Sequence, residues 1–237
     1  MISTKIQKLV LMALFTLSAS VFAEDKWNSY YIGASSGAAL GDAKSTDVTG
    51  YNGVPSSEIK YNTNGAQLSI FGGKNWLLTN NFLIGTEAAI GYMNMSNKKQ
   101  FADYVGVRLP TDSRASTDNG MFISLAGRFG KLLNDNTLIY SKAGFIQTDI
   151  RQSFIDEDPT GSLLISGTKT TKLSAPFVGL GLEYSFYKNL NILAEYIHYQ
   201  FGSINHTAKD NQISPNEFVF NEKLNLDTLN LGITYNF

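Results

Sequence analysis

The stretch LDTLNLGITYNF (226–237) alternates strictly: Leu229, Leu231, Ile233, Tyr235 and Phe237 share one face, and Thr228, Asn230, Gly232, Thr234 and Asn236 share the other. The final residues of a soluble domain usually fray into water. A strand that stays apolar on one face up to its closing aromatic therefore asks for an apolar medium on that side. The opposite face asks for polar partners.

The same period of two recurs upstream, and helical spacing is nearly absent beyond residue 24. Eight segments carry it, at 28–40, 64–76, 82–94, 121–131, 137–149, 176–187, 189–201 and 224–237. Each is as long as, or slightly longer than, the roughly 9–11 residues of a tilted membrane-spanning strand. The connections alternate in length. LLTNN, LLNDN and the pair Lys188–Asn189 make three short turns, and the other four connections are long and rich in Ser, Thr, Asn, Asp and Gly. A soluble sandwich has similar turns at both ends, whereas short turns on one side and long loops on the other belong to outer-membrane barrels. Closing the sheet also leaves no unpaired strand edge facing lipid. The expected fold is all-β: an eight-stranded antiparallel up-and-down transmembrane barrel with long extracellular loops and with both termini in the periplasm.

Composition bounds the alternatives. Charged residues make up only 16 % of the 237, and the formal charge of −1 gives no basic footprint for nucleic acid. With no cysteine there is no disulfide framework, thiolate metal site or cysteine nucleophile. The N-terminal MISTKIQKLVLMALFTLSASVFAEDK places Lys5 and Lys8 before a short apolar run, with Val21 and Ala23 preceding Glu24. This pattern predicts a secretory signal peptide over 1–23 and a barrel domain over 24–237.

Face assignments follow strand by strand. In PFVGLGLEYSF, Val178, Leu180, Leu182, Tyr184 and Phe186 oppose Phe177, Gly179, Gly181, Glu183 and Ser185. In MFISLAGRFG, Met121, Ile123, Leu125 and Phe129 oppose Ser124, Ala126 and Arg128. Small residues and single charges share the inner face, which suits the narrow lumen of eight strands. Aromatics gather near strand ends: Trp27, Tyr30, Trp76, Phe82, Phe186, Tyr187, Tyr235 and Phe237 at the turn end, and Tyr92 and Phe201 at the other. They predict two interfacial girdles.

The residues then show a family likeness. LAEYIHYQFG (193–202) resembles the seventh strand of the opacity-type, Omp25/Omp31-like family of small, porin-like outer-membrane barrels. WNSYYIGASSG (27–37) resembles its first strand, LIYSKAGF (138–145) its fifth, and LNLGITYNF (229–237) its closing strand. The likeness implies a monomeric barrel in outer-membrane lipid and lipopolysaccharide, used as a surface-exposed structural or interaction protein, adhesin-like or immunogenic. The alternative is a narrow porin-like channel for ions or small solutes. A host or environmental surface ligand would meet the loops. Phe237, with Tyr235, looks like the terminal signal read by the barrel assembly machinery.

Five ionisable residues fall on inner faces: Glu87, Arg128, Lys142, Glu183 and Glu195. They predict one belt of ion pairs plugging the lumen, because a buried charge is tolerable only when paired. Tyr140 and Tyr199 are further hydrogen-bonding candidates, and Glu87 and Arg128 lie on neighbouring strands. Three acids against two bases leave one carboxyl to be protonated or held by a hydroxyl.

Other candidates carry less. His198 faces outward near the outer interface, and His206 falls in the fourth loop. There Thr207 and Ala208 stand where an outer-membrane lipid A deacylase has its Ser two residues after the His, so no enzyme is expected. DEDPTGS (156–162) begins like a calcium loop, but Pro159 intervenes and Gly167 occupies the twelfth position. Lys98, Lys99, Arg108 and Arg114 make the second loop basic. No cofactor, metal or catalytic site is predicted.

Overall fold

In a computed structural model, described over residues 26–50, 57–100, 114–157, 163–210 and 217–237, eight strands close into a barrel in chain order. They are β1 (Tyr30–Asp47), β2 (Ser57–Leu77), β3 (Phe82–Gln100), β4 (Arg114–Asn134), β5 (Thr137–Glu157), β6 (Leu163–Tyr187), β7 (Leu190–Asp210) and β8 (Glu217–Asn236). Every neighbouring pair is antiparallel, and β8 closes on β1 through pairs such as Ile32–Tyr235 and Ala38–Leu229. The short turns behave as their residues dictate. Asn80 and Asn81 both take positive φ, 62° and 63°, in the one-turn 3-10 segment after β2, a conformation asparagine tolerates.

The strands correct the sequence reading in length. They run 18 to 25 residues, so much of what was expected as irregular loop continues the sheet. At about 3.3 Å per residue and a tilt near 40°, such strands stand about 45–60 Å tall, against an apolar band of about 25 Å. The outward residues show where the band ends. On β5, Ile139 and Phe145 give way to Gln147, Asp149 and Arg151; on β8, Leu229, Leu231 and Ile233 give way to Asp227, Asn225 and Lys223; on β1, Ile32 and Leu40 give way to Asp42 and Lys44. The turn-side half of the barrel is thus built for lipid and the loop-side half for water. Composition hid the second half because its Ser, Thr and Asn alternate with inner apolar residues more sparsely than a membrane strand does.

The interior is filled in layers. Trp27, Leu83, Leu132 and Leu138 form a floor at the turn end. A larger cluster that includes Met93, Phe122, Ile146, Phe177, Ile197 and Leu226 fills the middle. Phe154, Ile165, Ala208 and Phe220 cap the loop end. Two girdle assignments therefore fail: Trp27 is 1 % exposed and donates its indole N–H to the Asp135 carbonyl, and Phe201 is 3 % exposed in the middle cluster. Trp27 precedes the first strand, so alternation could not place it. Tyr30, Trp76, Tyr187, Tyr235 and Phe237 do face outward near the turn end.

Candidate functional site

Alternation turns all five predicted lumen charges inward, and the barrel brings them together between floor and middle cluster. Lys142 Nζ lies 2.8 Å from Glu87 Oε1 and 2.8 Å from Glu195 Oε2. Arg128 Nη2 lies 3.0 Å from Glu183 Oε2, while its other terminal nitrogen is 3.9 Å from Glu87. Adjacency in the chain order suggested Glu87 as the partner of Arg128, but the closer contact runs across the lumen to Glu183. The guanidinium is long enough to reach past β5 to β6, and Lys142 already holds Glu87.

Hydroxyls and an amide complete the belt. The Tyr31 hydroxyl donates to Glu87 (2.9 Å) and the Tyr140 hydroxyl to Glu195 (2.9 Å). Glu183 accepts from Asn191 Nδ2 at 3.0 Å and from the Thr234 hydroxyl. Arg128 is flanked by the rings of Tyr140 and Tyr31, at 3.9 and 4.9 Å from their centroids. Three carboxylates against two cations are thus served by polar neighbours. Tyr31, Asn191 and Thr234 were not read from the sequence as members; their inward parity was the available signal. Tyr199 instead engages Gln67 and Thr228. The small residues of this face are there for space: a Cβ at Gly181 would lie 2.2 Å from the Tyr140 ring. Above the belt remains a cavity of about 20 Å³, bordered by Glu87, Lys142, Glu195 and Gln67, room for about one water.

A second polar cluster, which sequence reasoning missed, lies above the middle cluster. Glu222 Oε2 accepts from the Thr117 hydroxyl (2.9 Å), the Tyr61 hydroxyl (3.0 Å) and Gln152 Nε2 (3.4 Å). Its contacts among the described residues are hydroxyls and an amide, not a cation. Burial raises its carboxyl above the ordinary range. His206, expected in a loop, sits in β7 with 1 % exposure and stacks on Phe220 at 5.5 Å. Burial, helped by Lys169, lowers its imidazole to about 4.

The remaining candidates separate. His198 faces outward, as read, and its Nδ1 lies 2.8 Å from Asp227 Oδ1, which also accepts from the Tyr196 hydroxyl. The residues registered on either side of this pair are Val178 and Leu40, neither a nucleophile. Asp156 is buried in β5, and Gly167 belongs to β6; residues 158–162 of the calcium-like stretch lie outside the described residues. Lys98, Lys99 and Arg114 fall in β3 and β4 rather than in a loop, and Arg108 lies outside the described residues. Among the described residues no group of three His, Cys, Asp or Glu side chains is placed to hold a metal ion. At the C-terminus, Phe237 N donates to the Tyr30 carbonyl (2.9 Å), and its ring meets Tyr235 edge-on at 5.3 Å.

Comparison with known proteins agrees with this architecture. The 31 kDa outer-membrane immunogenic proteins of Brucella melitensis biotype 1 and Brucella suis biovar 1 are 23 % identical to this chain over 214 residues, 89 % of this chain and 84 % of each relative. Among solved structures, the outer membrane protease OmpT of Escherichia coli aligns with a TM-score of 0.56 and 11 % identity, over 92 % of this chain and 100 % of its own. The outer membrane protein OprG of Pseudomonas aeruginosa aligns with a TM-score of 0.56 and 12 % identity, over 90 % of this chain and 100 % of its own. At such identities the structures speak to fold alone. The family model of the outer membrane protein beta-barrel domain matches residues 9–237, so the chain belongs to that family of the Gram-negative outer membrane.

Proposed function

We propose that the protein is a non-enzymatic, surface-exposed structural and interaction protein, with a sealed barrel that anchors a loop-side half standing clear of the bilayer. The observation that carries this reading is the filled interior: floor, charged belt, middle cluster and cap succeed one another with a void of only about 20 Å³ at the belt. A conducting pore needs a continuous wet path, and rings of charge select ions only when water reaches them. In the belt, each carboxylate is engaged by a cation and a hydroxyl or amide. The proposed partners are lipopolysaccharide along the band's outer rim, a host or environmental ligand at the loops, and the assembly machinery at Tyr235 and Phe237.

Planar-bilayer recording of refolded protein tests the seal. Little steady conductance is expected, and large steady open-channel currents would replace this reading with the narrow pore. The orientation proposed with it puts the termini and short turns in the periplasm and residues 1–23 in a removed signal peptide. Single cysteines at Lys60 and Asn136 report it: an impermeant maleimide added to intact cells should label Lys60→Cys and spare Asn136→Cys. The reverse pattern would invert the topology.

A further inference from the structure

The barrel is a closed ring only in its turn-side half. The β2–β3 ladder runs from Leu77–Leu83 up to Gly65–Met95 and ends there, although β2 continues to Ser57 and β3 to Gln100. The β6–β7 ladder stops at Phe177–Tyr199 and resumes only at Ser166–Lys209. These two seams lie four strands apart in a ring of eight, on opposite sides of the barrel. Between them the other ladders run on: β3–β4–β5–β6 form one wall and β7–β8–β1–β2 the other. Unpaired strand edges are untenable in hydrocarbon, and both seams begin where the outward residues turn polar. Beside the second seam β7 carries a bulge at Gly202, whose φ of +71° turns the strand away from regular pairing.

Few polar links cross from wall to wall. Glu222, on β8, is held from the opposite wall by Thr117 and Gln152. Lys169 spans the second seam to the Asn205 carbonyl at 3.0 Å. The Tyr61 hydroxyl on β2 also meets the Thr117 hydroxyl on β4 at 3.0 Å. Among the described residues much of the remaining contact is apolar, such as Phe154 on Phe220 with centroids 4.3 Å apart. Non-directional contact of this kind re-forms around a guest, and Met93 and Met95 in the lining adapt readily. Among the buried acceptors without a hydrogen-bond partner in this half are Glu222 Oε1 and Gln152 Oε1, both on side chains 3 % exposed.

We propose that the two walls form a clamp, latched by Glu222, that parts along its seams to admit an apolar solute bearing a hydrogen-bond donor. The apolar body replaces wall-to-wall contact, and the donor meets the unused oxygens of Glu222 and Gln152. The belt below stays shut, so the site opens to the loop side and gives no path across the membrane.

The absence of cysteine from the chain allows single thiol reporters. Ala43→Cys sits between the walls and Ala126→Cys inside the closed ring, at positions 4 % and 6 % exposed. In refolded protein a small methanethiosulfonate should label Ala43→Cys faster than Ala126→Cys, and N-phenyl-1-naphthylamine, an apolar arylamine with one N–H, should slow that labelling. Glu222→Ala removes the latch and the acceptor together. It should raise the Ala43→Cys rate about tenfold, leave Ala126→Cys unchanged and abolish protection by the arylamine. Thr117→Val with Gln152→Leu cuts the cross-wall arms at nearly constant volume. That pair should raise the rate and weaken protection by the arylamine without abolishing it, because the Glu222 oxygen stays. Equal inertness of both reporters in every background, a parallel rise of both in Glu222→Ala, or labelling that the arylamine does not slow would each overturn the clamp.

Discussion

Glu87, Glu183 and Glu195 lie below the middle apolar cluster and Glu222 lies above it, and the two sets are satisfied by different means. Below, in the half wrapped by lipid, each carboxylate has a cation within 3.0 Å. Above, where the wall faces water, one carboxylate is held by hydroxyls and an amide. A charge enclosed by protein and hydrocarbon has no water to fall back on, so it needs an opposite charge. A charge near the wet end can take a proton or open toward solvent. The lower set is therefore expected to be rigid and indispensable, and the upper set to be labile and responsive to conditions.

The largest expected effect comes from breaking the lower set. Arg128→Ala strands Glu183 with only Asn191 and Thr234, and should cost about 3–5 kcal/mol in urea unfolding of the refolded barrel. Because the near contact of Arg128 is Glu183 rather than Glu87, exchanging Arg128 with Glu183 should recover part of that loss, and exchanging it with Glu87 should not. Rescue by the Glu87 exchange instead would redraw the belt.

Acid is the next lever, and it acts on the upper half. The folded His206 imidazole is held at about 4 against an ordinary 6.5. A depressed folded value means that its stabilisation is complete above about pH 6.5 and is lost as pH falls through about 4, roughly 3 kcal/mol in all. Glu222, raised by burial, has the opposite sign and binds its proton more readily when folded. The protection factors of β7 amides above Gly202, corrected for the intrinsic slowing of exchange in acid, should thus fall from pH 6.5 to 4 while those of the belt strands hold. His206→Phe should flatten the profile, and an unchanged profile in that variant would assign the acid response elsewhere.

This division also explains what could be read from sequence. In the membrane half, lipid favours apolar outward positions, with small polar residues such as Ser36, Thr86 and Ser141 among them, so period two stays legible and a lone charge such as Glu183 between Leu182 and Tyr184 announces its inward direction. In the upper half both faces mix polar and apolar residues. Glu222 and His206 sit among Asn, Ser and Lys, and the pattern read there as loop is strand. Tyr31 was missed for a third reason: its hydroxyl reaches Glu87 from β1, two strands away, and only parity separates this buried ring from the exposed Tyr30 beside it. The belt's membership was legible while its pairing was not, because pairing depends on reach across the lumen and not on strand order.

Deleting Phe237 should have a smaller effect on stability. It removes one amide bond to Tyr30 and a ring contact with Tyr235, together about 1 kcal/mol in refolding. If the residue also serves the assembly machinery, the amount of folded barrel in cells should fall much further than refolding into detergent does. Equal losses in the two settings would leave it an anchoring role only.

The smallest effect is expected where a charge pair lies outside the wall. Asp227 receives the Tyr196 hydroxyl and His198 Nδ1, a constellation as well connected as part of the belt, yet the His198 and Asp227 side chains are 41 % and 38 % exposed. They sit at the upper rim of the apolar band, one step above Leu229, where headgroups and water compete for the same hydrogen bonds. An exposed pair is worth about 0–1 kcal/mol, so Asp227→Asn should shift the urea midpoint barely at all, and added salt should not change that. A loss as large as that of Arg128→Ala would mean that hydrocarbon, not water, surrounds the pair. The apolar band would then extend above Asp227, and the seams would have to be closed by protein or lipid rather than left to solvent.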